Sequence, residues 1–475
     1  MVNQVAPSES EGSRSVRPSA AKTPDMNGHA NENSNRKRER DGGKGAKILE
    51  TKAKRQRFLE DKLQSIEQIS KNAQAGSLLS LGTGDTGQLG LGEDITERSK
   101  PALVKGVTGK IKAIAAGGMH TTCLTVDGVV WSFGCNDEGA LGRKIDDDDE
   151  GFTPGVVPLP SGVNIIQITA GDSHSTALDD KGKVYYWGTF RDASGAVGLT
   201  PDGTIQKLAV PLAHHLNVKK IASGVDHIVL LTNEGALYTL GNAEQGQLGR
   251  VGQRYTSRGG HNRRGLELLL NPEKVVPKKR TIFADVWAGS YGTMALTTDN
   301  EILACGLNNY SQLGLEKKTV FHTFVKSNGF SGRAWKDIAF GQHHALALDA
   351  NGQVHAIGRV EYGRLGLGDQ NTEGGKADAV VPTLVPRLAN KKCVDISCGT
   401  TVSFAVTEDG ECYSWGMVDN GQLGQAQNDE DSWEPEEMVG KQLESRKVVG
   451  VSGGGQHTIL IAKENSPKEQ ITNGH

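Results

Sequence analysis

Apolar residues along this chain alternate with small or polar residues in short runs that end at glycine. In residues 111–142 the stretch IKAIAAGGMHTTCLTVDG contains two such runs, parted by a glycine pair at 117–118. An Asp-Gly pair at 127–128 precedes a third run, VVWSFG, and then a glycine-rich loop, CNDEGALG. Alternation with a period of two is typical of half-buried β-strands, and Asp-Gly between two runs favours a hairpin turn. The segment therefore predicts a small antiparallel sheet.

This unit recurs along the chain. Each copy has an apolar run ending in glycine, a variable loop and a closing Leu-Gly or Val-Gly pair. The seven copies are LLSLGTGDTGQLG (78–90), WSFGCNDEGALG (131–142), YYWGTFRDASGAVG (185–198), LYTLGNAEQGQLG (237–249), LACGLNNYSQLG (303–314), HAIGRVEYGRLG (355–366) and YSWGMVDNGQLG (413–424). Their last glycines are 51 to 65 residues apart. A long period of this kind is typical of propellers and solenoids.

The first copy is incomplete, and its missing half decides between these two architectures. LLSLGTGDTGQLG has no front half, whereas GGGQHTIL at 453–460 has no back half. A solenoid is open and ends in atypical caps, but two half-units at opposite ends of a chain complete each other when the chain closes into a ring. The sequence predicts an all-β, seven-bladed β-propeller over residues 77–463, in which N- and C-terminal strands share one blade.

Charge is divided unevenly between the segment before the repeats and the repeats themselves. Residues 1–76 contain 15 Lys and Arg against 10 Asp and Glu, so the net charge of −3 combines a basic tail with an acidic remainder. Few apolar residues stand in this tail, which predicts disorder, with one short helix at 58–69. Residues 464–475 are predicted to be a disordered C-terminal tail. A basic tail on an acidic body suggests contact with nucleic acid or chromatin.

Two features of the composition bear on the compartment. The six cysteines form no CxxC pair, which favours a reducing, intracellular setting, and no apolar signal segment is seen. No run approaches the ~20 apolar residues that cross a bilayer, so no membrane partner is predicted.

One histidine stands at an equivalent place in most repeats. These residues are His120, His174, His227, His344 and His457, and Gly292 and Val402 fill the place in the other two copies. Positions related by a seven-fold ring are too far apart to share one zinc ion at ~2 Å. We therefore predict a structural role, in which each imidazole hydrogen-bonds its own blade near the central channel, and no metal site. The GTGDTG run at 82–87 matches GxGxxG but is followed by another turn instead of a helix, so no cofactor is expected.

The residues just before the histidine column differ from blade to blade. A purely structural requirement would give the same residue in each copy, so the variation indicates a surface that reads a partner. Asp172 and Asp226 offer acceptors for a basic partner, and His343 offers another polar contact. Solvated turns are the alternative interpretation of each residue.

The third copy is longer than the others. Its first and last motif glycines, Gly188 and Gly198, are ten residues apart where the other copies have eight. The extra length predicts a protrusion in 189–194 with Phe190 and Arg191 at its tip and Asp192 beside them. A plain surface loop is the alternative.

Basic residues cluster in an insertion and in the tail. The long spacing after Gly249 contains Arg254, Arg258, Arg263 and Arg264, followed by Lys278, Lys279 and Arg280. Guanidinium groups suit carboxylate clusters. The tail has one cluster of Arg36, Lys37 and Arg38 and a second of Lys52, Lys54, Arg55 and Arg57. Two such clusters are typical of a bipartite nuclear import signal and also bind DNA phosphates, although solvated charge remains the alternative.

Several of these motifs together resemble a known family. GDTGQLGLGED, AAGGMHTTCL, AGDSHSTAL, FGQHHALAL and SGGGQHTIL are similar to repeats of the regulator of chromosome condensation family, over about residues 77–463. The order of the blade-specific variants resembles that of members that act as chromatin-bound guanine nucleotide exchange factors for the GTPase Ran.

The resemblance implies a function and assigns roles to residues. It implies nuclear, chromatin-bound exchange of GDP for GTP on Ran, through stabilisation of the nucleotide-free GTPase. Asp172, Asp226 and His343 match family positions that face Ran, and Phe190, Arg191 and Asp192 match a wedge at its nucleotide site. The basic insertion matches a loop that contacts the acidic surface of the histones in the nucleosome.

The residues show no Ser/His/Asp triad, metal cluster or phosphate loop, so no covalent chemistry is predicted. A non-catalytic propeller that binds chromatin or proteins is the competing interpretation. A lectin-like or hydrolytic propeller would need clustered carboxylates or a secretion signal.

Overall fold

Antiparallel strands in groups of four account for most of the regular secondary structure in this computed structural model. It describes residues 74–256, 263–277, 279, 281–368, 377–426 and 430–465, and the side chains of 263 and 264 are not part of that description. The predicted tail helix, the import signal and Arg258 lie outside the described residues.

The strands in chain order are β1 (Ser77–Thr83), β2 (Glu97–Leu103), β3 (Ile111–Ala116), β4 (His120–Thr125), β5 (Val130–Gly134), β6 (Gly155–Val156), β7 (Ile165–Ala170), β8 (His174–Asp179), β9 (Val184–Gly188), β10 (Phe190–Asp192), β11 (Gly195–Gly198), β12 (Gln206–Leu212), β13 (Val218–Ser223), β14 (His227–Thr232), β15 (Leu237–Gly241), β16 (Glu273–Lys274), β17 (Phe283–Ala288), β18 (Gly292–Thr297), β19 (Ile302–Leu307), β20 (Val320–Lys326), β21 (Trp335–Phe340), β22 (His344–Asp349), β23 (Val354–Gly358), β24 (Ala379–Leu384), β25 (Cys393–Cys398), β26 (Val402–Thr407), β27 (Cys412–Gly416), β28 (Ser432–Glu437), β29 (Arg446–Gly453) and β30 (His457–Glu464). Among the described residues one α-helix, α1, spans Arg263–Leu270, and 3₁₀ turns lie at Asp148–Phe152, Gln253–Tyr255, Glu361–Gly363 and Pro386–Leu388.

These strands form seven four-stranded sheets and one two-stranded sheet within the described residues. We call the four-stranded sheets blades 1 to 7. Blade 1 contains β3 to β6, blade 2 contains β7, β8, β9 and β12, and blades 3 to 6 follow in chain order from β13 to β28. The predicted seven-bladed propeller is confirmed.

Blade 7 closes the ring with strands from both ends of the described chain. Its order is β2-β1-β30-β29, and β1 pairs with β30 from Ser77↔Ala462 to Gly82↔His457. Gly76 also exchanges two 3.0 Å backbone hydrogen bonds with Ile111 of blade 1. The shared blade predicted from the split repeat is confirmed.

The hydrophobic core lies between neighbouring blades. Trp187 and Trp415 are fully buried, and each indole donates to a carbonyl of the preceding blade, Ala140 O at 2.8 Å and Arg364 O at 3.0 Å. Burial of such side chains contributes roughly 1.5–3 kcal/mol each. The alternating apolar positions of the repeat therefore pack one blade onto the next.

The ladder in each blade defines two faces of the ring. His120 lies opposite Gly134, and the same pairing recurs in the other blades, for example His174 with Gly188. The turn before each column residue and the loop after each motif glycine therefore lie at the same end of the sheet. We call this end the upper face. The Asp-Gly turns lie on the lower face, which is also where β1 begins and β30 ends.

The histidine column joins blades to each other, which corrects our prediction of a bond within each blade. Each Nε2 atom lies within hydrogen-bond distance of a hydroxyl on the next blade around the ring. The pairs are His120–Ser175 at 2.8 Å, His174–Ser223 at 3.2 Å, His227–Thr293 at 2.9 Å, His344–Ser403 at 2.8 Å and His457–Thr121 at 2.9 Å. The prediction failed because the repeat pattern does not show how closely the next blade approaches.

Candidate partner-binding face

The extended third copy forms a β-hairpin on the upper face. β10 and β11 pair from Phe190↔Gly198 to Asp192↔Gly195, which leaves exposed Ala193 and Ser194 at the tip. The predicted protrusion is thus present, and it is ordered by its own ladder.

Phe190 is not at the tip of this hairpin, which corrects our prediction. Its ring is fully buried at the hairpin base and meets His174 edge-on, with ring centroids 4.8 Å apart. The prediction was wrong because a large apolar ring in a short hairpin is stabilised by burial at its base more than by exposure. Arg191 and Asp192 are half-buried and lie closer to the tip.

The fold brings Asp172 and Asp226 next to the hairpin. Asp226 Oδ1 accepts a 2.7 Å hydrogen bond from the Arg191 backbone N–H, and the Arg191 guanidinium pairs with Glu138 of blade 1. Burial raises the pKa of Asp226 to about 7, against the lowering effect of the Arg191 N–H. Burial likewise raises the pKa of Asp172, with Arg191 acting in the opposite direction. The site is therefore a carboxylate cluster from three blades with one guanidinium.

His343 of blade 5 lies in a second cluster, together with Tyr310 of blade 4. Its ring is 5.1 Å from the Tyr310 ring, and the Arg359 guanidinium lies 4.9 Å above Tyr310. Arg359 pairs with Glu361. Burial, followed by Arg364 and Arg359, lowers the pKa of His343, so this imidazole is neutral at pH 7. The upper face thus has two clusters on different blades, one acidic and one aromatic.

Sequence reasoning missed Glu138 and Tyr310 of these clusters, and it missed Asn242 and Glu244 of blade 3, which bond the hairpin backbone. Glu138 and Tyr310 occupy the same place in their loops, just before the loop glycine or its replacement Ser311. An alignment of the loop positions, made as for the turn positions, shows this variation and would have identified both residues.

The basic insertion packs beside the hairpin base. Leu266 and Leu269 of α1 pack against the apolar cluster that contains Phe190, Val197 and Leu270. Arg254 is exposed and Lys279 lies on the lower side of blade 3, whereas Lys278 and Arg280 lie outside the described residues. Arg263 and Arg264 begin α1.

The described residues also limit the other site types considered. Groups of three or more His, Cys, Asp or Glu able to hold a metal ion are not found among them, and all six cysteines are free thiols. The helix in the described part of the chain is not long and apolar enough to cross a membrane.

Fold and site together define a closed seven-bladed propeller whose repeats differ from one another on the upper face. Comparison with known proteins makes this class more specific. A family model described as the RCC1-like domain matches residues 77–460. The chain belongs to this family, as the resemblance of its repeats indicated.

Two curated relatives are similar over most of their length. The regulator of chromosome condensation of Homo sapiens is 46% identical over 410 residues, which is 84% of this chain and 93% of that protein. The guanine nucleotide exchange factor SRM1 of Saccharomyces cerevisiae is 31% identical over 427 residues, which is 80% and 85% of the two chains.

Solved structures agree with these relatives. Prp20p from Saccharomyces cerevisiae, described with its binding properties to Gsp1p and histones, has a TM-score of 0.75 and 29% identity over 84% of this chain and 94% of that one. Yeast RCC1 (Prp20) bound to Kap60 gives the same TM-score and identity, with 84% and 91% coverage.

Proposed function

We propose that this chain is a guanine nucleotide exchange factor for the small GTPase Ran and that it acts on chromatin in the nucleus without covalent chemistry. The support is its family, its 46% identity to a regulator of chromosome condensation and its likeness to the exchange factor SRM1. The observation that carries the proposal is the hairpin, because a protrusion that the described residues show in one of the seven blades lies directly on the carboxylate cluster.

Exchange follows from linkage between two binding events. If the upper face binds Ran more tightly without nucleotide than with it, this binding weakens nucleotide affinity by the same factor. Asp172, Asp226 and His343 orient the GTPase, while Arg191 and Asp192 press on its nucleotide site. Phe190 serves as the buried anchor of the hairpin.

The test is release of labelled GDP from purified Ran. The Asp226→Ala change removes the acceptor of the Arg191 N–H, so we expect exchange to slow by about tenfold or more, as for a part-buried donor left without its acceptor. Asp409→Ala, at an exposed turn of the lower face, is the matched control. Unchanged stimulation by Asp226→Ala would exclude this assignment, and a wild-type chain that leaves GDP release unchanged would exclude the exchange function.

We further propose that the basic residues bind the nucleosome. Arg258, Arg263 and Arg264 contact the acidic histone surface, and Arg36, Lys37, Arg38, Lys54 and Arg55 bind DNA and an import receptor. Support comes from the relative Prp20p, described with its binding to histones and with Kap60.

Reversal of charge at Arg263 and Arg264 tests the histone contact. We expect Arg263→Glu with Arg264→Glu to weaken nucleosome affinity by about tenfold or more, since charge-assisted bidentate contacts are lost, while GDP release stays unchanged. Lys318→Glu, on the half-exposed Lys318 of blade 4, is the control. Loss of both activities together would contradict separate surfaces.

A non-catalytic interaction propeller is the second candidate. It is favoured by one relative with a different role, the ultraviolet-B receptor UVR8 of Arabidopsis thaliana, 29% identical over 75% of this chain. The GDP-release assay separates the two candidates.

A further inference from the structure

The hairpin of blade 2 is held by the loop of blade 3. Asn242 Nδ2 donates a 2.8 Å hydrogen bond to the Arg191 carbonyl, and the Ala193 N–H donates to Glu244 Oε2 at 3.2 Å. With the Asp226 contact to the Arg191 N–H, three side chains of blade 3 bond the hairpin backbone. They bond both strand and tip residues, so they set the direction in which the hairpin points.

The residues that make these bonds are themselves fixed. The Glu244 N–H donates to Asn242 Oδ1 at 2.7 Å, and the Asn242 N–H donates to the Asp226 carbonyl at 2.7 Å. Asn242, Glu244 and Asp226 therefore form one connected unit of blade 3, which we call the clamp. On the opposite side of the hairpin, Glu138 of blade 1 pairs with the Arg191 side chain.

The hairpin needs such support because it is small. An isolated two-stranded hairpin is marginally stable in water, and this one has three residues in β10 and four in β11. Phe190 and Val197 anchor its base in the core, but Ala193 and Ser194 at the tip are exposed. Without the clamp, the hairpin backbone would lose its three hydrogen bonds to side chains of blade 3.

We propose that Asn242 and Glu244 are positioning residues for nucleotide exchange, which hold the hairpin in the direction that reaches the nucleotide site of the GTPase. The proposal rests on the exchange function proposed above. A hairpin ordered before binding loses less conformational entropy when the nucleotide-free complex forms. Since the hairpin acts in the step that expels nucleotide, loosening it lowers kcat and leaves KM unchanged.

Three substitutions distinguish the effect of losing these hydrogen bonds from the effect of changing the charge. Asn242→Asp keeps the acceptor for the Glu244 N–H and removes the donor to Arg191. Glu244→Ala removes the acceptor for the Ala193 N–H, whereas Glu244→Gln keeps one. Asn242→Asp adds a negative charge and Glu244→Ala removes one, so a shared effect cannot result from charge. Asn164→Ala is the control, because the Asn164 amide donates to Asp180 on the lower face.

The first measurement is hydrogen exchange of residues 190–198 in the full chain without GTPase. We expect amide exchange in this segment to be about tenfold faster in Asn242→Asp and Glu244→Ala, as for loss of one hydrogen bond, and unchanged in Glu244→Gln and Asn164→Ala. Unchanged protection in Asn242→Asp and Glu244→Ala would overturn the clamp, whether or not the chain acts on Ran.

The second measurement is the rate of GDP release from Ran at varied Ran concentration. We expect kcat to fall about tenfold in the same two variants, with KM within about twofold of wild type. A loosened hairpin with unchanged kcat, or a fall in kcat matched by a rise in KM, would overturn the positioning role. If the wild-type chain does not speed GDP release from Ran, the exchange function and this role both fail. Hydrogen exchange would still show whether the clamp orders the hairpin.

Discussion

Individual histidines contribute to stability here through their neutral form. Burial lowers the pKa of His120 to about 4 and of His227, His344 and His457 to about 3, and it lowers that of His174 as well. Each ring bonds a hydroxyl of the next blade. Protonation would place an unpaired charge between blades, so the joints of the ring depend on neutral imidazole.

This dependence predicts a pH effect with a definite sign. An unfolded histidine binds its proton below a pKa of about 6.5, and a folded one of this column only near 3 to 4. The free energy of unfolding therefore falls by about 1.4 kcal/mol per histidine for each pH unit between pH 6.5 and pH 4. The test is urea unfolding at pH 7, 6 and 5. In His344→Asn the unfolding free energy should depend less steeply on pH than in wild type, and the difference should correspond to about one fewer proton taken up on unfolding.

His215→Asn, at an exposed histidine, is the control and should leave this slope unchanged. The raised pKa values of Asp226 and Asp395, both about 7, act in the opposite direction between pH 4 and 7. The comparison is therefore made between variants. An equal slope in His344→Asn and wild type would contradict a neutral His344.

The alignment of repeats singles out residues whose variation is visible within it. Asp172 and Asp226 were selected because they differ from their counterparts, and they do lie beside the hairpin. Asn242 and Glu244 were not selected, since their partners are about fifty residues away on another blade. A pattern within one repeat cannot predict contacts between residues so far apart in the chain.

At the scale of elements, the hairpin has one glycine at its base and one near its tip, and the two differ in how closely other atoms approach them. Gly198 has φ +100°, and a Cβ atom there would lie 2.3 Å from the Gly203 backbone. Gly195 has φ +112°, but a Cβ atom there would meet nothing within 4 Å. At both positions a residue with a side chain would be strained by the positive φ, but only at Gly198 would its Cβ atom also clash with a neighbour.

We therefore expect Gly198→Ala to displace the hairpin base and to slow GDP release by about tenfold or more, since the clashing atoms are backbone and cannot rotate away. Gly195→Ala should show only the cost of positive φ, about 1–2 kcal/mol. The measurements are exchange rate and thermal unfolding of both variants. Equal exchange rates would show that the Gly198–Gly203 contact is not needed.

At the scale of the molecule, closure of the ring rests on one composite blade. Residues 452–463 supply most of β30, which pairs with β1 and β29. Removing them exposes the edge of β1 and the apolar faces of both neighbouring blades.

We expect deletion of residues 452–463 to abolish cooperative unfolding and to cause aggregation, because the ring no longer closes. Deletion of residues 1–70 is the control and should keep the melting temperature of the propeller. The measurement is thermal unfolding followed by circular dichroism. A wild-type melting temperature in the chain that lacks residues 452–463 would contradict closure through blade 7.

The sequence by itself determined the number of blades, the places of the turns and the closure of the ring. The first two properties are local, because alternation and turn glycines act within one repeat. Closure could be predicted because the split repeat shows which two segments complete one blade. Only the tertiary structure decided that the histidines bond the next blade, that Phe190 is buried and that blade 3 holds the hairpin. These contacts depend on how consecutive blades are spaced and tilted, which is set by the packing of the whole ring.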